Sequence, residues 1–176
     1  MKNSILKGML AAVIVLVAFT GRPLLAAASG AEQISVTFTL VDYPNADPGT
    51  CNPSTYLPYA GDPACIAYVA AAYTETGDFV GTESEEDSLV FFANGGVAFV
   101  GYENWIGTLK GRGTGSFVVL GYDGVETPSG MDRGKLRIVD GTGTGDLVGI
   151  SGSGSYTGSA VTGIIATKMT VEFPRP

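Results

Sequence analysis

The stretch GTGTGDLVGISGSGSYTG, residues 141–158, carries seven glycines in eighteen residues around one short apolar run. Glycine that dense can cradle a phosphate, frame a metal loop, or let a β-ribbon turn and bend. The phosphate patterns fail on spacing. A dinucleotide fingerprint needs Gly-x-Gly-x-x-Gly between a strand and a helix, and the frames opening at Gly141, Gly143 and Gly152 end on Asp146, Val148 and Thr157. A nucleotide-hydrolase loop fails at Gly134-Lys135, which Ser129 precedes at the required spacing and Leu136 follows. Asp140 and Asp146 could offer oxygen to calcium, but no third carboxylate falls at a loop-like spacing. The glycines therefore read as bends, with residues 146–150 expected as a strand between two of them.

Outward from this stretch the chain is rich in β-formers. Residues 34–41, ISVTFTLV, alternate branched or aromatic residues with polar ones, the pattern of a half-buried strand. From Cys65 onward come successive β-rich runs, each bounded by glycine or a turn pair such as Asn94-Gly95 or Asp123-Gly124. AYVAAAY is the one helical rival, short and flanked by β-formers. Seven or eight strands without crossover helices predict an all-β fold, an antiparallel meander closed as a barrel or folded as a sandwich.

The first residues carry Lys2 and Lys7, an apolar run of eleven residues from Met9 to Phe19, and a small-residue exit at residues 26–29. That is the layout of a secretory signal peptide, and the run is too short to span a bilayer, which takes about 20 residues. We read 1–28 as the signal and 29–176 as one domain, exported to the periplasm or beyond, with no membrane attachment after cleavage. Cleavage leaves seven basic against 17 acidic residues, a net charge near −10. Such a surface repels phosphate backbones, so nucleic acid is not an expected partner. Oligomeric state is left open.

Two cysteines, Cys51 and Cys65, bracket a Pro-rich segment at about 43–65. An even count in an oxidising compartment reads as one disulfide closing thirteen intervening residues. Loop-closure entropy alone would make it worth roughly 3 kcal/mol. We expect this segment to be an irregular stapled insertion, since its five prolines cannot donate to a sheet ladder.

Chemistry is sparse. There is no histidine, so Ser-His and Cys-His nucleophiles are excluded, and two thiolates are too few for zinc. No metal or cofactor is expected. The run Glu83, Glu85, Glu86, Asp87 reads first as a solvated loop, the usual fate of contiguous like charges. The informative polar position is Glu103 in VAFVGYENWIG. On a continuous strand Val97, Phe99, Gly101, Glu103 and Trp105 share one face. Were that face inward, Glu103 would sit beside the only tryptophan with its pKa raised, suited to a general acid. The default is Glu103 at the strand's wet end, with Trp105 as a core anchor or rim plug. Phe99, Glu103, Trp105 and Phe117 are the candidate cavity-lining residues, and Glu103 is the one weak catalytic candidate.

The order of motifs resembles an uncharacterised bacterial family of allene-oxide-cyclase-like barrels. Its carriers are Gly77, Asp78, Gly81 and Ser84; Trp105, Gly107, Thr108 and Gly111; Gly115, Ser116 and Phe117; and residues 141–149. The resemblance implies an eight-stranded antiparallel up-and-down barrel, calycin-like, with a central cavity and no established activity. Better-known relatives, allene oxide cyclases and plant dirigent proteins, steer reactive intermediates by shape, but none of their functional positions can be carried over. The leading expectation is a non-enzymatic exported barrel that binds a small apolar or aromatic ligand or an envelope partner. The alternatives are a cofactor-free isomerase or cyclase, and a structural envelope protein.

Overall fold

The computed structural model describes residues 30–42, 57–59, 62–92 and 94–174, the side chains of 57–59 and 62–65 excepted. The proposed signal segment and the Cys51–Cys65 pairing lie outside the described residues.

The strands are β1 (Glu32–Asp42), β2 (Leu57–Tyr59), β3 (Asp62–Gly77), β4 (Phe79–Phe91), β5 (Val97–Leu109), β6 (Gly113–Glu126), β7 (Met131–Ile138), β8 (Ser151–Ser159) and β9 (Ile164–Glu172). All ladders are antiparallel, and β1 pairs with both β9 and β3, so eight strands close into an up-and-down barrel. Closure leaves no long unpaired edge among those eight. The short β2 folds back on the start of β3, pairing Leu57 with Ala64. The Pro-rich segment is therefore not irregular throughout: its second half forms this hairpin. AYVAAAY lies within β3, where pairing with β4 overrides alanine's helical preference.

The interior divides into two halves. At the end bearing the β3–β4 and β5–β6 turns, the barrel is packed solid. Phe79, Trp105, Leu109, Phe117, Leu147, Ile150 and Val171 are buried there. The Trp105 ring lies 5.0 Å from Phe38, 5.6 Å from Phe79 and 5.2 Å from Phe117, centroid to centroid. The connection from β7 to β8 seals this end. Residues 146–150 are not the expected strand: Gly145–Leu147 form a single 3-10 turn that drives Leu147 into the core, with Ile150 buried just after it. The strand begins at Ser151 and runs through the glycines themselves. Glycine is a poor strand former in isolation, but at Gly152 and Gly154 a Cβ would collide with the β9 backbone. Close approach of two strands selects glycine here, which composition alone does not reveal.

A candidate ligand cavity walled by carboxyls

In the other half of the barrel the inward residues leave a cavity of about 110 Å³. Its apolar wall comes from Phe38 and Leu40 on β1, Val69 and Ala71 on β3, Phe99 on β5, Leu136 on β7 and Ile165 on β9. Its polar wall is made of carboxyls: Glu83, Glu85 and Asp87 on β4, Glu103 on β5, Glu126 on β6 and Asp132 on β7. Tyr73, Tyr156 and Thr167 add hydroxyls. Among the described residues no lysine or arginine lines it.

The acidic run is thus not a solvated loop. It is part of β4, and the strand's period of two turns Glu83, Glu85 and Asp87 inward while Ser84 and Glu86 are exposed. The register sets Glu85 opposite Glu103 and Glu83 opposite Trp105. Glu103 is likewise not at a wet strand end. It is 8 % exposed, and it accepts a hydrogen bond from Trp105 Nε1–H on Oε2 at 2.9 Å. Both expectations failed for one reason: the odd-numbered face of β5 points inward, and its cross-strand partners point inward with it.

Of the four residues proposed from sequence as cavity-lining, Phe99 and Glu103 line the cavity, while Trp105 and Phe117 form the packed floor beneath it. Glu83, Glu85, Asp87, Asp132, Tyr156 and Thr167 were missed. The available signal was the i, i+2, i+4 spacing of residues 83, 85 and 87, a strand-face pattern within what looks like a charge run. Nothing local marks Asp132, Tyr156 or Thr167, which reach the cavity only through pairing of distant strands.

Glycines make room for these groups. A Cβ on Gly101 would overlap the Asp87 carboxylate, and one on Gly134 would collide with the Tyr156 hydroxyl. The electrostatics follow from crowding like charges in a buried site. Burial, and secondarily the charge of Glu103, hold Glu83 well above the usual carboxylate range. Burial also raises Glu85 well above it, reinforced by the charge of Asp87 and by a hydrogen bond between the two carboxyls, and opposed by one from Tyr73. Glu103 is pushed up to about 8 by burial, against the stabilising bond from Trp105. Asp132 is pushed up to about 7 by burial and then by Glu126. Like charges this close cannot all ionise, so the cavity retains protons near neutrality. Among the described residues Asp132 Oδ1, Tyr156 Oη and Thr167 Oγ1 are buried in the cavity wall with no hydrogen-bond partner.

Residues 53–163 match the family described as protein of unknown function (DUF3224). The chain belongs to the DUF3224 family. A crystal structure of a DUF3224 protein of unknown function from Shewanella oneidensis MR-1 is similar to this one, with a TM-score of 0.61 at 21% identity. The similarity covers 84% of this chain and 100% of that one. No curated protein matches. The DUF3224 match and its solved member fix the β-barrel and leave its activity to be read from the cavity.

Proposed function

We propose that this DUF3224 barrel is exported and binds a small organic ligand inside its cavity. The observation that carries this reading is the cavity wall, where buried hydroxyl and carboxyl oxygens without partners among the described residues face a space bordered by Phe38, Phe99 and Leu136. Buried polar groups are nearly always hydrogen-bonded, and leaving one unpaired costs roughly 1–3 kcal/mol. A ligand that pairs them recovers that cost. The aromatic and aliphatic side supports an apolar body, and the carboxyl side requires a polar end. Thermal shift and calorimetry against short-chain alcohols, amines, acids and phenols test the reading. Saturable binding that Ala71→Leu abolishes by filling the cavity supports it. No saturable binding at millimolar concentration of any probe refutes it.

One observation favours a second reading, a cofactor-free isomerase. Glu103 faces the cavity with its carboxyl oriented by Trp105, as a general acid or base must be. A bound ligand that NMR shows chemically unchanged after prolonged incubation decides for binding. Turnover lost in Glu103→Gln with binding retained decides for the enzyme.

A further inference from the structure

We propose that the cavity is selective for a small protonated alkylamine, its ammonium seated by Glu103 and Asp132 and its short chain against Phe99 and Leu136. This rests on the small-molecule reading above and names the chemical class of the ligand.

Three features lead there. The first is the hydrogen-bond inventory. Asp132 Oδ1, Tyr156 Oη and Thr167 Oγ1 line the cavity without partners among the described residues, and their residues are 8 %, 6 % and 1 % exposed. An ammonium carries three donors and no acceptor, a hydroxyl brings a single donor, and an ionised carboxylate brings none. A wall rich in carboxyl oxygen matches the first of these. The second is charge: carboxyls from four strands converge, and among the described residues no basic side chain enters to balance them. Protons keep those carboxyls neutral instead, and an entering cation takes the place of protons in a site where Coulomb attraction is weakly screened. The third is the kind of cation. Among the described residues no three carboxylates are grouped to hold a metal ion, whereas one wall is aromatic and aliphatic. A cavity of about 110 Å³ is smaller than the roughly 150 Å³ that encloses benzene, which suits a chain of about two to four carbons.

Binding should expel protons. The titratable groups facing the site are Tyr73 and, deeper, Glu75 from β3; Glu83, Glu85 and Asp87 from β4; Glu103 from β5; Glu126 from β6; Asp132 from β7; and Tyr156 from β8. β1 and β9 contribute no titratable side chain to the cavity. Burial keeps these carboxyls protonated to higher pH than usual, and an ammonium favours their ionised forms.

The test is calorimetry on the purified protein at pH 7 with n-butylamine, n-butanol and butyrate, in two buffers of different ionisation enthalpy. We expect butylamine to bind at least tenfold more tightly than butanol, butyrate not to bind, and about 0.5–1 proton to be released per amine. Glu103→Gln and Asp132→Asn should each weaken the amine at least tenfold. If butanol binds as well as butylamine, the amine inference falls and the ligand-binding reading stands. If none of the three binds, the inference falls, and the wider probe panel then decides the reading. Amine binding without proton release, or undiminished in both variants, also overturns it. The comparison of the three ligands on the unaltered protein needs no variant to fold.

Discussion

Glu75 supplies the sharpest test of the electrostatics. It sits two residues beyond Tyr73 on β3, toward the packed end, opposite Phe38 and Gly81. It is 1 % exposed, and among the described residues neither carboxyl oxygen has a partner. Burial, with a secondary contribution from Glu103, pushes its pKa from 4.5 up to about 8. Each tenfold change in proton affinity is worth about 1.4 kcal/mol, so this rise corresponds to at most about 5 kcal/mol. Relaxation and water entry on ionisation reduce it, and we expect ~2–4 kcal/mol.

The sign follows from proton counting. Between the unfolded value near 4.5 and the folded value near 8, the folded state holds a proton on Glu75 that the unfolded state has lost. Stability therefore falls as pH rises through that window, being fully present below it and level above it. Urea unfolding at pH 4.5, 6.5 and 8.5 measures this, with the m-value checked for constancy. The other buried carboxyls tilt the unaltered protein in the same direction, so the informative quantity is the difference from Glu75→Gln and Glu75→Met. Relative to the unaltered protein, both variants should gain ~2–4 kcal/mol between pH 4.5 and pH 8.5. Parallel stability curves across that range would refute the assignment of Glu75 as a protonated core residue.

Trp105→Phe removes the N–H that holds Glu103 and leaves a gap in the floor. It should cost about 2–4 kcal/mol by urea unfolding and raise the Glu103 pKa further, read by carboxyl carbon NMR. Gly101→Ala places a methyl on the Asp87 carboxylate. It should cost about 1–3 kcal/mol, only part of it recovered when Asp87→Gly is added, because the methyl also meets the Glu86 carbonyl, and a double-mutant cycle measures the recovered part. Gly152→Val, at φ +154 and against the Thr170 carbonyl, should impair folding, seen as loss of soluble yield and of the near-ultraviolet circular dichroism.

The readable part of this sequence was the part that builds the closed end of the barrel. Asp78 accepts the Ser35 N–H at 3.0 Å, and Asp146 accepts the Thr114 N–H at 3.0 Å. Thr144 Oγ1 takes the Ser116 N–H at 3.0 Å. These residues fall within or beside the motifs that carry the family resemblance, which is why those motifs point to a barrel and are silent on activity. Residues 146–150 misled because a Leu-Val-Gly-Ile run has the composition of a strand, while positive φ at Gly145 and Gly149 bends the chain into a plug. The cavity was hidden for a different reason. An inward carboxylate and a solvated one are identical in sequence, and only the register of Glu83 against Trp105, and the buried face that Asp132 shares with Leu136, distinguish them.

A barrel of this size can fill its interior with apolar side chains, as its own floor demonstrates. The other half gives up that stability. Glycine at 101 and 134 weakens each strand by about 0.5–1 kcal/mol relative to alanine, and the space released admits a carboxylate and a phenol. Buried carboxyls add desolvation on top. A purely structural barrel has no use for either cost, and destabilised polar interiors are characteristic of sites where function opposes stability. Glu83→Met puts this to the test. Glu83 is buried against Trp105, and burial together with its acidic neighbours disfavours its charge. Methionine of similar length should stabilise the barrel by ~1–3 kcal/mol at pH 8 and weaken amine binding in the same preparation. A variant that is destabilised at pH 8 by a comparable amount would mean that the carboxyls hold the wall together, and the cavity would lose its claim to be a site.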